Sequence, residues 1–109
     1  MKRGEIWTQS GGPGYASKPR PVLIVQSDRM TESDSVLVCL ITSYDGPGLS
    51  ARLPFSPTVE NGLREESILM ADKIMAIAKT KLGKRLGAVT SEEMERVEEA
   101  MLIVLGFAG

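Results

Sequence analysis

Two short apolar runs in the first half of the chain restrict the fold most strongly. Residues 21–26 read PVLIVQ and residues 35–43 read SVLVCLITS, and both runs are rich in β-branched residues. Their apolar residues follow one another without alternation, which is typical of central strands that are buried on both faces. Segments rich in glycine, with proline, flank the pair at 10–19 and 44–48. This pattern predicts a β structure and leaves little room for βαβ units.

The remaining strands are predicted from alternation and from turn residues. Candidate strands lie at 4–9, 49–55, 67–79 and 84–89. In the first of them Ile6 and Trp7 point to opposite faces, and Trp7 is expected to lie in the core or in a dimer interface. Pro54 indicates that 49–55 is an edge strand, and Asn61-Gly62 is a favoured pair for a hairpin turn.

The C-terminal segment has the pattern of an amphipathic helix. Thr90 and Glu93 have the spacing of a capping box, and Gly106 is placed to end the helix. Apolar residues recur at helical intervals, at Met94, Val97, Met101 and Val104. The chain is therefore predicted to be mainly β, a small and strongly bent β-barrel with one C-terminal helix. Its 109 residues suit one domain, residues 1–109.

Composition excludes several kinds of active site. The sequence contains no histidine, so Ser-His-Asp and Cys-His catalysis are excluded. A single cysteine, Cys39, excludes an intramolecular disulfide and a cysteine-cluster metal site, and its apolar neighbours indicate a buried thiol. We expect no cofactor and no metal. No secretory signal or membrane-length apolar run is evident, which favours a soluble, cytoplasmic protein.

Charge is unevenly distributed although the net charge is only −1. Residues 73–85 carry five cations and no acid, whereas residues 92–99 carry five glutamates and one arginine. The basic segment could bind an anionic ligand, because the local field matters more than the total charge. Alternatively, the two segments are a solvated basic hairpin and a solvated acidic helix face.

Three positions stand out as candidate site residues. Arg20 is held between Pro19 and Pro21, which restrict its backbone. Thr42 and Ser43 end an apolar strand, and Asp72-Lys73 interrupts another. Strand ends of a small barrel can converge on one rim, so these side chains could meet there. Each has a structural alternative: a surface ion pair for Arg20, a turn hydrogen bond for Thr42 and a rim ion pair for Asp72-Lys73.

RNA is a substrate that such a set could process. Its 2′-OH is a built-in nucleophile, so strand scission requires neither a metal nor an enzyme nucleophile. The protein must align that hydroxyl, stabilise charge on the phosphoryl oxygens and assist the leaving 5′-oxygen. An arginine beside a hydroxyl side chain could stabilise the charge and assist departure. Among the aromatic residues, Tyr15 and Tyr44 could stack on bases, whereas Phe107 is expected to anchor the C-terminus.

Several segments in order resemble the MazF/PemK family, toxins of bacterial toxin–antitoxin pairs. These segments are MKRGEIW at the start, RPVLIVQSD after a glycine-rich loop, ITS at a strand end, LMADKI, and the C-terminal helix. The resemblance spans nearly the whole chain. It implies an SH3-like barrel of the CcdB/PemK type, a homodimer, and metal-independent, sequence-specific cleavage of single-stranded RNA to a 2′,3′-cyclic phosphate and a 5′-hydroxyl. A cognate antitoxin would neutralise the toxin, and no membrane is involved.

The resemblance also assigns roles to residues. It implies that Arg20 is the principal catalytic residue and that Thr42 is its partner at the scissile phosphate. RNA-binding residues are then expected at Tyr15, Lys18, Ser43, Asp72, Lys73 and Lys79. Some family members use a histidine, or an arginine where this chain has Met70, so their acid–base scheme does not transfer. CcdB-like relatives bind DNA gyrase on the same fold, which leaves a non-nuclease toxin as the alternative.

Overall fold

A computed structural model describes residues 1–10, 19–43 and 51–109. Tyr15, Lys18, Tyr44 and most of the two predicted glycine-rich loops lie outside this range. The elements are β1 (Glu5–Gln9), β2 (Arg20–Ile24), β3 (Ser35–Thr42), β4 (Arg52–Phe55), β5 (Ser67–Ala78), a 3₁₀ turn (Lys79–Lys81), β6 (Leu82–Ala88) and α1 (Ser91–Val104). The predicted strands and helix are confirmed, with boundaries shifted by a few residues.

The six strands form one antiparallel sheet in the order β4-β5-β3-β2-β1-β6. β4 lies at an edge, as Pro54 predicted. The ladder is open between β4 and β6, but the connection after β4 crosses this gap, because the amide of Ala88 donates to the carbonyl of Glu60 at 2.8 Å. The mainly β, barrel-like class with a C-terminal helix is thus confirmed, with a loop rather than a ladder joining the edges.

Apolar residues are buried on both faces of the central strands. Leu23 in β2 belongs to the larger core beneath α1, whereas its neighbours Val22 and Ile24 belong to a second cluster on the other face. In β1, Ile6 likewise belongs to the larger core, whereas Trp7 packs against the second cluster. This double burial explains why the runs do not alternate, and each fully buried aliphatic side chain contributes roughly 1.5–3 kcal/mol.

Helix α1 begins and ends as the sequence predicts. The amide of Glu93 donates to Thr90 Oγ1 at 3.1 Å, and the amide of Thr90 donates to Glu93 Oε1 at 2.8 Å, completing the capping box. At the other end Gly106 adopts φ +81°, and the amide of Phe107 donates to the carbonyl of Leu102. The prediction that the Phe107 side chain anchors the C-terminus is wrong: it is 78% exposed, and backbone hydrogen bonds end the helix.

The Asn61-Gly62 pair does not form a two-residue hairpin turn. It lies within the longer connection 56–66 between β4 and β5, and the Asn61 side chain is buried. Asparagine serves here as an internal hydrogen-bonding group for the loop.

Candidate active site

The start of β2 and the end of β3 meet at one end of the sheet. β2 starts at Arg20 and β3 ends at Thr42, and their antiparallel ladder pairs Val22 with Leu40. Extending this register by two residues places Arg20 beside Thr42, and directly paired residues point to the same face. The predicted convergence of an arginine and a hydroxyl side chain therefore follows from the strand register.

These residues line a cleft of about 700 Å³. Its volume is within the range usual for ligand sites. Arg20, Thr42 and Ser43 contribute to it, together with Pro19, Pro21 and Ile41 from the same strand ends. The other walls come from β1, from the connection 56–66, and from β5 and β6: Thr8, Gly62, Leu63, Arg64, Glu65, Ser67, Lys84 and Leu86.

Arg20 is exposed in this cleft and forms no salt bridge with any residue that the structure describes. The alternative prediction of a surface ion pair is therefore not realised among those residues. An arginine fork that is not engaged by a carboxylate can bind the oxygens of a phosphate. Thr42 is half-buried in the same cleft, at the end of β3, in which four of the eight residues are buried.

Asp72 and Lys73 do not line the cleft. β3 pairs Cys39 with Ile74 but Leu40 with Met70, so Ala71, Asp72 and Lys73 lie in a bulge of β5. Asp72 accepts two hydrogen bonds from Arg52, from Nε to Oδ1 and from a terminal nitrogen to Oδ2, both at 3.1 Å. The hydrogen bonds from Arg52 lower the pKa of Asp72. The predicted ion pair of Asp72 is thus formed with Arg52 and not with Lys73.

Lys79 lies at the opposite end of the sheet. Thr42 pairs with Ile68 at one end of β5, whereas Ser35 pairs with Ala78, the residue before Lys79, at the other. Seven strand steps separate these pairs, roughly 20 Å. Lys79 Nζ donates to the carbonyl of Thr31 at 3.4 Å. An RNA contact by Lys79 therefore stays a prediction that is separate from the cleft.

The cleft contains residues that the sequence did not single out: Thr8, Arg64, Glu65, Ser67 and Lys84. Lys84 belonged to the predicted basic segment, but its place in the cleft depends on the pairing of β6 with β1. Arg64 is brought in by the connection 56–66, whose path the sequence does not show.

Cys39 has no role in this cleft. Burial, with a smaller effect of Asp72, raises the pKa of its thiol to about 12, so it is not a nucleophile at neutral pH. The predicted buried thiol is confirmed. Within the described ranges no three metal-ligating side chains come together, and no helix there is long and apolar enough to span a bilayer.

Comparison with known proteins finds related sequences over nearly the whole chain. The family model for the PemK-like, MazF-like toxin of type II toxin–antitoxin systems matches residues 2–105. A probable endoribonuclease MazF of Mycolicibacterium smegmatis is 38% identical over 109 residues, which is 100% of both chains. Endoribonuclease MazF6 of Mycobacterium tuberculosis is 31% identical over 110 residues and 96% of each chain.

A solved structure shows the same fold. A mycobacterial endoribonuclease in complex with its cognate antitoxin superposes with a TM-score of 0.81 at 24% identity, covering 100% of this chain and 98% of the other. The family model and the two relatives cover almost the whole sequence, Arg20 and Thr42 included. This chain therefore belongs to the PemK-like, MazF-like family of type II toxins.

Proposed function

We propose that this protein is an endoribonuclease toxin that cleaves single-stranded RNA. The observation that carries the proposal is that Arg20 and Thr42 line one cleft, in which Arg20 has no carboxylate partner among the described residues. The family and the names of its relatives favour RNA cleavage over a CcdB-like action on gyrase. Residues 1–109 would act as a single toxin domain in the cytoplasm.

The reaction uses the nucleophile of the substrate. The 2′-oxygen attacks the adjacent phosphorus as its proton passes to water, the bond between phosphorus and the 5′-oxygen breaks, and the 5′-oxygen takes up a proton from water, leaving a 2′,3′-cyclic phosphate and a 5′-hydroxyl. Arg20 stabilises the charge that develops on the phosphoryl oxygens, and the Thr42 hydroxyl orients the same phosphate. Because the nucleophile is internal and the stabilising charge is an arginine, the reaction proceeds without a metal.

Asp72 is better suited to a structural role than to proton transfer. Its carboxylate already binds Arg52 through two hydrogen bonds, and its pKa is lowered. A general base at neutral pH needs a pKa closer to 7. This favours the view that Asp72 fixes the edge strand β4 against β5, next to the cleft.

The test of this function is RNA cleavage in excess EDTA. A mixed-sequence RNA is incubated with the wild type, with Arg20→Ala and with Arg29→Ala, a control at the turn between β2 and β3, away from the cleft. We expect cleavage by the wild type and Arg29→Ala, products with 2′,3′-cyclic phosphate ends, and loss of at least about a hundredfold in Arg20→Ala. Intact RNA with the wild type, or undiminished cleavage by Arg20→Ala, would refute the proposal.

We further infer that the protein acts as a homodimer that a cognate antitoxin inhibits. A mycobacterial relative of the same fold was solved in complex with its antitoxin. Exposed apolar side chains at the end of α1, among them Ile103, Leu105 and Phe107, provide a surface of the kind that interfaces cover. An acidic antitoxin segment would compete with RNA for the cationic cleft, so both ligands should bind more weakly at high salt.

A further inference from the structure

Two further cations line the cleft that contains Arg20. Arg64 and Lys84 are exposed, line the same cleft, and form no salt bridge with any described residue. We propose that Arg64 and Lys84 bind the RNA phosphates next to the scissile one and so position the substrate for Arg20. This inference rests on the proposed RNA-cleaving function.

Arg64 is held in place by the internal structure of the connection 56–66. The buried Asn61 side chain accepts hydrogen bonds from the amides of Thr58 at 3.0 Å and Leu63 at 2.9 Å. Its Nδ2 donates to the carbonyl of Ser56 at 2.9 Å. Leu63 itself is buried in the larger core. The backbone is therefore held in place up to the residue before Arg64.

The same connection is packed directly against β6. Gly62 has φ +68°, and a Cβ on it would lie 2.1 Å from the carbonyl oxygen of Leu86. A Cβ on Gly87 would lie 2.2 Å from the carbonyl oxygen of Glu60. Two glycines thus allow backbone to touch backbone. The wall that carries Arg64 and the strand that carries Lys84 are consequently fixed relative to each other.

Lys84 is directed into the cleft by a bulge in β6. β1 pairs Trp7 with Arg85 and Gln9 with Leu82, so Gly83 and Lys84 together oppose Thr8. The Lys84 amide donates to Thr8 Oγ1 at 2.9 Å. Because side chains alternate along a strand, Lys84 and Leu86 line the cleft, while Arg85 binds Glu5 on the other face.

The chemistry of the two cations suits a phosphodiester chain. Among the residues that the structure describes, the cleft lining holds three cations, Arg20, Arg64 and Lys84, and one carboxylate, Glu65, so this part of the lining is cationic although the whole chain is not. One arginine suffices for the scissile phosphate. The other two cations are available for neighbouring phosphates, and such contacts fix the register of a strand without reading its bases.

The test measures binding separately from cleavage. Arg64→Gln and Lys84→Gln are compared with Arg29→Gln and Lys81→Gln, which remove exposed charges outside the cleft lining. The binding probe is a short fluorescent single-stranded DNA of mixed sequence, which retains the phosphates but lacks the 2′-OH. We expect Kd to rise about fivefold for each cleft variant and less than twofold for each control. The slope of log Kd against log salt concentration should become shallower by about one in the cleft variants.

Steady-state cleavage of RNA distinguishes positioning from a structural role. We expect both cleft variants to raise KM about as much as Kd while kcat at saturating RNA changes less than twofold, and Lys84→Arg to restore the wild-type KM. Cleft variants that match the controls in Kd and salt slope overturn the inference, as does a loss confined to kcat. If the wild type leaves RNA intact while Arg64 and Lys84 still govern phosphate binding, the proposed function fails and the phosphate site stands.

Discussion

At the scale of single residues, the position of Arg20 in the fold could be anticipated from its neighbours in the sequence, whereas its catalytic role stays a prediction. The flanking prolines indicated a restricted backbone, and the structure places the side chain in a cleft beside Thr42. Asp72 was predicted less well, because its partner Arg52 is distant in sequence and reaches it only through the pairing of β4 with β5. Local patterns predict backbone restriction, whereas the choice of an ionic partner depends on strand register.

Arg20→Lys tests whether charge alone is sufficient at this position. Lysine retains the positive charge but lacks the planar fork that contacts two phosphoryl oxygens. We expect kcat to fall at least about tenfold while the thermal midpoint stays within about 1 °C of the wild type, since the side chain is exposed and has no described ion-pair partner. RNA cleavage assays and thermal unfolding measure the two quantities. Full activity in Arg20→Lys would contradict a bidentate role.

Glu5 should make the protein more stable at neutral than at acidic pH. Burial alone would raise its pKa, but hydrogen bonds from Trp7, the Lys2 amide and Arg85 outweigh it and lower the pKa from 4.5 to about 2. A lowered folded-state pKa contributes stability above pH 4.5, and this contribution is lost as the pH falls towards 2.

Glu5→Gln is therefore expected to lose about 1 kcal/mol of unfolding free energy at pH 7. The difference from the wild type should shrink between pH 4.5 and about pH 2, the interval between the two pKa values. Urea denaturation at several pH values measures it, with Glu32→Gln as a control at an exposed position without a described partner. A difference that does not vary with pH would show that Glu5 acts through packing rather than charge.

At the scale of elements, strands and helix followed from the sequence more reliably than their connections. The apolar runs of β2 and β3 and the capping box of α1 are signals contained within a few residues. The Asn61-Gly62 pair gave an equally local signal, but tertiary contacts decided its structure, because Asn61 is buried and Gly62 packs on β6. The cleft wall that carries Arg64 was missed for this reason.

Gly87→Ala should separate the connection 56–66 from β6. The added Cβ would lie 2.2 Å from the carbonyl oxygen of Glu60, and backbone atoms cannot rotate away as a side chain can. We expect a loss of at least about 2 kcal/mol in unfolding free energy together with a higher KM, because the loop carries Arg64. Urea denaturation and RNA cleavage kinetics measure these effects.

Gly106→Ala is the matched control for that substitution. It places a Cβ at φ +81° with no atom within 4 Å, so it adds backbone strain without a clash. We expect a loss of about 1 kcal/mol and an unchanged KM. Equal effects of the two substitutions would show that the contact between the connection 56–66 and β6 contributes little to stability or to KM.

At the scale of the whole molecule, the net charge was a poor guide to nucleic-acid binding, and the distribution of charge was a better one. The net charge of −1 argues against nucleic-acid binding, yet three cations of the described part of the chain line one cleft. The basic segment 73–85 contributes only Lys84 to that cleft, while Arg20 and Arg64 come from distant parts of the chain. Composition could exclude histidine-based catalysis, but only the folded arrangement of β1, β2, β6 and the connection 56–66 brings these charges together.

The exposed end of α1 leads to a prediction about assembly. Ile103 is 53% exposed and Phe107 78%, and both belong to a continuous run of apolar residues at the end of the chain. Val59, in the connection 56–66, is even more exposed at 96%, but its sequence neighbours are polar. A single exposed apolar side chain is common on monomers, whereas a contiguous patch marks an interface.

Phe107→Glu is therefore expected to weaken the proposed homodimer at least about tenfold, whereas Val59→Glu should leave it unchanged. A buried carboxylate without a partner opposes association, while the same carboxylate on an isolated exposed position remains solvated. Sedimentation velocity over a range of protein concentrations measures the dimer dissociation constant of each variant. A dimer that tolerates Phe107→Glu but dissociates with Val59→Glu would place the interface on the connection 56–66, and with it next to Arg64 rather than at the end of α1.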